Sequence, residues 1–153
     1  MQVAAPMLQE RERRDWLGLL ARAPLALLEA WAERQPPRAY AWLRRPETGL
    51  AMVRGRAGGT GAQFNLGEMT LTRCALRLDG AATGVAYVQG RSARKAEIAA
   101  LADALLQTAE AADVRRELIE PVRARLAADA ARERRNARAT KVEFYTLARE
   151  AGE

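Results

Sequence analysis

The hydrophobic period of this chain changes twice, and those changes fix the order of its elements before any other property is considered. Through residues 8–35, large apolar residues recur at helical spacing: Trp16, Leu19, Leu20 and Ala23, then Leu25, Leu28 and Trp31. Recurrence at three and four positions marks the buried face of an amphipathic helix. Pro24 stands between the two runs and suits a helix start, where its missing N–H would be unpaired anyway. An αα-hairpin ending at Gln35-Pro36-Pro37 is expected.

From Arg38 the period becomes two. Tyr40 and Trp42 share one face; after Pro46 and Glu47, Leu50–Arg56 alternates again. Met69–Leu78 sets Thr70, Thr72, Cys74, Leu76 and Leu78 against Leu71, Arg73, Ala75 and Arg77, and Asp79-Gly80 turns the chain into Val85–Gln89. Four antiparallel strands are predicted over residues 38–91. The helical period returns at Ser92, a candidate N-cap, with Ile98, Leu101, Ala102 and Leu105 on one face, and Leu118, Ile119, Val122, Leu126 and Ala130 mark a last long helix in residues 92–137. In residues 140–149, Val142, Phe144 and Thr146 alternate as in a short strand, whereas Val142, Tyr145 and Arg149 would suit a helix turn; the strand is the reading adopted. At 153 residues one core is the default, so the expectation is a single α+β domain over residues 1–153: an N-terminal αα-hairpin, a four-stranded antiparallel sheet, two longer helices and a short C-terminal strand.

The residue types the chain lacks limit its chemistry. It contains no histidine and one cysteine, Cys74. Ser-His-Asp and Cys-His mechanisms are excluded, an internal disulfide cannot form, and an ordinary zinc site lacks its usual ligands. No catalytic or metal-ligating residue is assigned. The opening run Glu10-Arg11-Glu12-Arg13-Arg14-Asp15 fits neither a secretory signal nor an acid-poor transit peptide, and no apolar run reaches the roughly 18–20 residues that span a bilayer. A soluble, cytoplasmic protein without a membrane partner is expected. The Leu- and Trp-rich N-terminal helices and the Ala-rich long helix also present more apolar face than short strands cover, which predicts association.

The net charge of +6 is unevenly placed. Between Arg34 and Arg91, nine arginines stand against three acids (Glu47, Glu68 and Asp79), which accounts for the whole excess. The flanks balance, so the middle carries the field that would draw an anionic partner. Within it, Arg54-Gly55-Arg56-Ala57-Gly58-Gly59-Thr60-Gly61 combines four glycines with two arginines. Such a loop either connects two strands or cradles phosphate oxygens on exposed backbone N–H groups; it is no P-loop, since GxxxxGK[ST] is absent. Gln89-Gly90-Arg91-Ser92 hands a strand to a helix N-terminus, where Ser92 caps the helix or Arg91 joins the free amides in holding an anion. Arg73, mid-strand, needs either a partner or a ligand. Arg54, Arg56, Gly58, Gly59, Thr60, Gly61, Arg73, Gln89, Gly90 and Arg91 therefore form the candidate phosphate-binding or interface set. Glu47 and Glu68 are candidate paired carboxylates. A competing reading is a small nucleic-acid or nucleotide-binding module that stacks bases on Tyr40, Trp42, Phe64 and Tyr87.

Glu47-Thr48-Gly49-Leu50, Arg56 to Gly61, Phe64, Gly67-Glu68, Thr70-Leu71-Thr72-Arg73 and Val88-Gln89-Gly90-Arg91 resemble, in order and spacing, the G subunit of bacterial carbon-phosphorus lyase (the PhnG family). Thr140 to Leu147 is similar to that family's closing motif; the likeness covers roughly residues 10–149, and Tyr87 stands where a tryptophan can occur. The resemblance implies a required subunit, not catalytic alone, of ribose 1-methylphosphonate 5-triphosphate synthase. With the H, I and L subunits it would couple ATP and an alkylphosphonate, the substrates of the complex, and release adenine. It further implies I, H and J subunits as core partners, a homodimeric arrangement within the complex, no cofactor bound by this chain alone and no nucleic acid.

Overall fold

The computed structural model describes residues 4–80 and 82–141. Helices α1 (Ala4–Arg22) and α2 (Leu25–Ala32) are followed by strands β1 (Tyr40–Arg56), β2 (Gln63–Leu78) and β3 (Thr83–Gln89), then helix α3 (Ala93–Leu105). Next come α4 (Ala111–Val114), a wider π-type turn (Arg115–Ile119) and α5 (Glu120–Ala139), with helical backbone at every junction. Pro121 follows the wide turn. It has no N–H to return to the carbonyl four residues back, the position at which a helix loses its regular ladder.

The sheet has three strands, in the order β1-β2-β3, all antiparallel. The expected four were one too many because the Pro46-Glu47 break does not end a strand. β1 crosses it in 17 residues, with register offsets between Trp42 and Arg44 and between Arg44 and Glu47. β1 lies at the edge of the sheet, where a missing N–H at Pro46 forfeits no ladder bond and a bulge absorbs the extra residue. β2 begins at Gln63, six residues before the expected Met69. The strand predicted for residues 140–149 lies almost wholly outside the described residues; Thr140 caps α5, the last described element.

One face of the sheet carries the core. Cys74, Leu76, Leu78, Ala86 and Val88 point into it against Ile98, Ala102 and Leu105 of α3. Trp16 and Leu20 from α1, Leu28 and Trp31 from α2, and Leu118 and Val122 from the last helix close it. Each fully buried Leu contributes about 1.5–3 kcal/mol relative to exposure. The tryptophans at 16 and 31 and the Cys74 thiol thus occupy the interior positions their periodicity indicated. Gly84 sets how closely α3 sits on the sheet: a Cβ there would fall 1.8 Å from the Ala100 carbonyl oxygen.

Asp103 is completely buried in this core. It accepts hydrogen bonds from Arg13 Nε (3.2 Å) and Nη2 (2.8 Å), from Trp16 Nε1 (2.8 Å) and from the Val85 amide (2.9 Å). One carboxylate thereby ties α1, α3 and the outer edge of β3 together, and all its charge is answered. Elsewhere Arg38 makes a two-pronged ion pair with Glu110, linking the approach to β1 with the segment after α3.

Candidate functional site

β3 ends opposite Leu71, where Gln89 pairs with it. Beyond that point only two strands continue, Leu50–Arg56 against Gln63–Thr70, so the β1–β2 hairpin projects past the body as a ribbon. It bears four large exposed apolar side chains: Leu50 (65% exposed), Met52 (51%), Phe64 (46%) and Leu66 (66%). The offset between Val53 and Arg54 makes Leu66 the unmatched residue of β2. Across the ribbon the Phe64 ring covers Gly55, with Cζ 3.4 Å from where a Cβ would be. A lone two-stranded ribbon is marginally stable in water, and one with apolar residues outside is a surface in want of cover.

At the ribbon's tip the glycine-rich segment folds on itself. Gly58 and Gly59 adopt positive φ (59° and 82°), and the amides of Thr60 and Gly61 both donate to the Ala57 carbonyl, the latter at 2.8 Å. Arg56 Nη1 donates to the Gly61 carbonyl at 3.0 Å. Two amides of the imagined phosphate cradle are thus spent inside the turn. Arg54 makes no ion pair among the described residues, and both Arg54 and Arg56 are exposed.

Arg73 is placed apart from the tip. Thr72, Cys74, Leu76 and Leu78 face the core, so Arg73 stands on the opposite, open face, where its Nε donates to Glu47 Oε1 at 2.6 Å. Arg44 donates to the same oxygen. Hydrogen bonds from Arg44 and then Arg73 hold the Glu47 carboxyl below its ordinary pKa. Arg73 therefore has the partner its position demanded. Glu68, opposite Met52, lies five residues along β2 from Arg73 and Glu47, so the two carboxylates are not a pair.

Gln89, Gly90 and Arg91 form a third location at the base of the ribbon. The Gly90 amide donates to the Thr70 carbonyl at 2.9 Å, and Thr72 Oγ1 donates to the Gly90 carbonyl at 2.6 Å, with Thr48 Oγ1 a further 3.1 Å away. Ser92 Oγ accepts from the Lys95 amide at 3.1 Å and caps α3, as its position suggested. Thr70 is separated from Gln63, at the far end of the ribbon, by about 20 Å at the usual rise per residue. The candidate set is thus brought together in three groups: the tip, the Arg73–Glu47 face and the base.

Sequence reasoning missed the ribbon's apolar surface and the Asp103 knot. Leu50 and Met52 alternate visibly, and so do Phe64 and Leu66, but Asn65 and Gly67 between them are poor strand formers that mask the second half of the hairpin. Asp103 sits between Ala102 and Ala104 on the apolar side of α3, a charge on a buried stripe, and that is the available signal. A cleft of about 550 Å3 lies elsewhere, lined by Gln9, Glu12, Arg13, Trp16, Gln107 and Arg115 among others. Both of its arginines are committed: Arg13 to Asp103, and Arg115 to Glu12 while lying 5.6 Å over the Trp16 ring. Of the four proposed stacking aromatics, Tyr40 and Trp42 pack edge to face on each other at 5.2 Å.

Fold and surface together are those of a helix-backed sheet that carries an apolar, arginine-tipped ribbon into solvent. Residues 11–150 match the family described as phosphonate metabolism protein PhnG, and the chain belongs to that family. Over 139 residues it is 42% identical to the alpha-D-ribose 1-methylphosphonate 5-triphosphate synthase subunit PhnG of Rhizobium meliloti (strain 1021), covering 90% of this chain and 89% of the relative. Among the described residues no helix is long and apolar enough to cross a membrane.

Proposed function

We propose that this chain is the G subunit of a ribose 1-methylphosphonate 5-triphosphate synthase and works in the cytoplasm as the structural member of a multisubunit assembly. The complex joins an alkylphosphonate to the ribose carbon of ATP that adenine leaves. I, H and J subunits form the core with this chain, and the L subunit joins in activity. The displacement itself falls to another subunit, since this chain has no histidine to exchange protons near neutrality.

The projecting ribbon carries this reading. Its four exposed apolar side chains and Arg54, which has no ion-pair partner among the described residues, suit an apolar groove with an acidic rim on a partner subunit. A second task open to the tip arginines is contact with the triphosphate from inside the assembled complex, and the two roles separate by experiment. Co-expression with I, H and J subunits should recover the assembly with the wild-type chain. Met52→Asp and Leu66→Asp should abolish co-purification without lowering the melting temperature of the chain. Arg54→Ala and Arg56→Ala assign the tip: retained assembly with lost adenine release means phosphate contact, and lost assembly means interface. Ribbon variants that still assemble and release adenine at the wild-type rate would overturn the proposal.

A further inference from the structure

The sheet has a second edge at β3, which pairs with β2 alone. Gly90, one residue past the strand, gives its amide to the Thr70 carbonyl of β2, so the even-numbered residues of β3 turn their backbone groups inward along the ladder. Thr83, Val85, Tyr87 and Gln89 turn theirs outward. At the first two, side chains answer the backbone. The Thr83 carbonyl accepts from Arg13 Nη2 at 3.2 Å and from Gln107 Nε2 at 2.9 Å, and the Val85 amide donates to Asp103 Oδ2 at 2.9 Å. Further along, the Tyr87 amide and carbonyl and the Gln89 amide have no partner among the described residues. Neither a proline, a lysine nor a bulge, the devices that keep free edges from pairing, guards this part of the strand.

The unanswered part of the edge borders a groove. Helix α1 runs beside β3, with Arg13 at Thr83 and with Leu17, Leu20 and Ala21 near Val85 and Val88. Together with Ala99 of α3 they enclose an apolar hollow of about 100 Å3, with Tyr87 also on its lining and 56% exposed. Backbone donors and acceptors at two-residue spacing along one wall, with room for an aliphatic side chain beside them, suit an extended peptide. Its main chain would pair with Tyr87 and Gln89, and one of its alternate side chains would enter the hollow. A helix has no main-chain groups to offer sideways. From Val85 to Gln89 the edge is about 13 Å long, which roughly five extended residues match. Arg91, exposed and without an ion-pair partner among the described residues, stands two positions beyond Gln89, so an acidic residue suits that end of the added strand.

We infer that the groove between β3 and α1 receives an extended segment of another subunit, which adds a strand to the sheet along Val85–Gln89. This surface is separate from the ribbon, which belongs to β1 and β2. The groove is read from this chain alone; that the segment comes from a subunit of the synthase assembly rests on the function proposed above.

The test follows amide hydrogen exchange in the full chain alone and in the assembly co-expressed with I, H and J subunits. Alone, the Tyr87 and Gln89 amides should exchange freely, while those of Ala86 and Val88 are slow. In the assembly the Tyr87 and Gln89 amides should slow by about tenfold or more, as amides that gain an acceptor do. Protection already present in the chain alone would mean that the chain, or at rising concentration a second copy of it, covers the edge, and would overturn the inference. An assembly in which both amides stay fast would do the same.

Tyr87→Pro removes the outward N–H, a change that an edge strand tolerates, and Tyr87→Thr keeps it. The proline variant should hold the partner subunits about tenfold less tightly than the threonine variant. Ala21→Leu, which fills the hollow from α1, should weaken capture in the same way and decides the matter if Tyr87→Pro does not fold. Capture as tight as that of the wild type by folded variants would overturn the inference. A random decapeptide library displayed on phage and panned on the full chain probes the groove without partner subunits. Enriched peptides that bind Ala21→Leu about tenfold more weakly support the groove, and a selection in which none does so overturns it. Sensitive peptides beside a chain that captures no I, H or J subunit would support the groove and overturn the function proposed above.

Discussion

The indole Nε1 of Trp16 donates to Asp103 Oδ1 at 2.8 Å, inside a core from which that carboxylate touches no solvent. The same carboxylate receives Arg13 and the Val85 amide, so its removal takes the acceptor from three residues at once. Asp103→Ala leaves the Trp16 indole and the Val85 amide without their acceptor and is expected to destabilise by roughly 1–3 kcal/mol for each such donor. Arg13→Ala leaves that completely buried carboxylate with neutral donors but no counter-charge and should cost about 3–5 kcal/mol at neutral pH, at least as much as Asp103→Ala. Urea unfolding of the two variants beside the wild type checks the order, and a smaller loss for Arg13→Ala would contradict it.

Gly84 supplies a second stability test. A methyl group there would meet the Ala100 carbonyl oxygen at 1.8 Å and force α3 off the sheet. Gly84→Ala is expected to cost more than about 3 kcal/mol, in the range of severe overpacking. Gly49, also in the sheet, has nothing within 4 Å of where a methyl group would sit and does not have a positive φ. Gly49→Ala should therefore leave the melting temperature near that of the wild type.

The Glu47 carboxyl shared by Arg44 and Arg73 should titrate below an ordinary glutamate in a side-chain NMR titration. Its depressed pKa means that any stability it adds is present above the unfolded-state value and fades as pH falls through the folded one. Arg44 is the larger cause, so Arg44→Ala should raise the midpoint more than Arg73→Ala does. The reverse order would place the stronger bond on Arg73.

At the alkaline end the sign is opposite. Burial pushes the Cys74 thiol from 9.0 up to about 11. Burial, then a hydrogen bond to Glu97, raises Tyr40 from 10.0 to about 12. Groups with raised values stabilise the fold below their unfolded values, and that contribution drains away as pH climbs through the folded ones. Stability should accordingly decline from about pH 9 upward, and Cys74→Ala should flatten the first part of that decline. Iodoacetamide should label Cys74 slowly in the native protein at neutral pH and rapidly in urea.

Much of this molecule is legible in its residues, and the misses have physical causes. The helices carrying Trp16, Leu28, Ile98 and Val122 are readable because a three-and-four spacing persists over several turns. Ser92 is readable because capping is local. The merging of two expected strands into β1 is not, because whether Pro46 interrupts a strand depends on its lying at a sheet edge, a property of the neighbours. Arg73 shows its need for company, but its partner Glu47 is 26 residues away and becomes adjacent only through hairpin register. The candidate arginines look like one cluster along the chain because sequence proximity conceals the length of an extended ribbon.

The proline and paired offsets in the lower part of β1 have one more consequence. A long outer strand is an open template on which any stray extended peptide can assemble, and proteins that survive at high concentration interrupt such templates. Here the proline and two offsets fall between Trp42 and Glu47, while the stretch toward Arg56 carries a single offset, between Val53 and Arg54, whose unmatched residue belongs to β2. The chain thereby denies casual visitors half of its outer border, and the docking role proposed for the ribbon would fall to the remainder, with its greasy flanks.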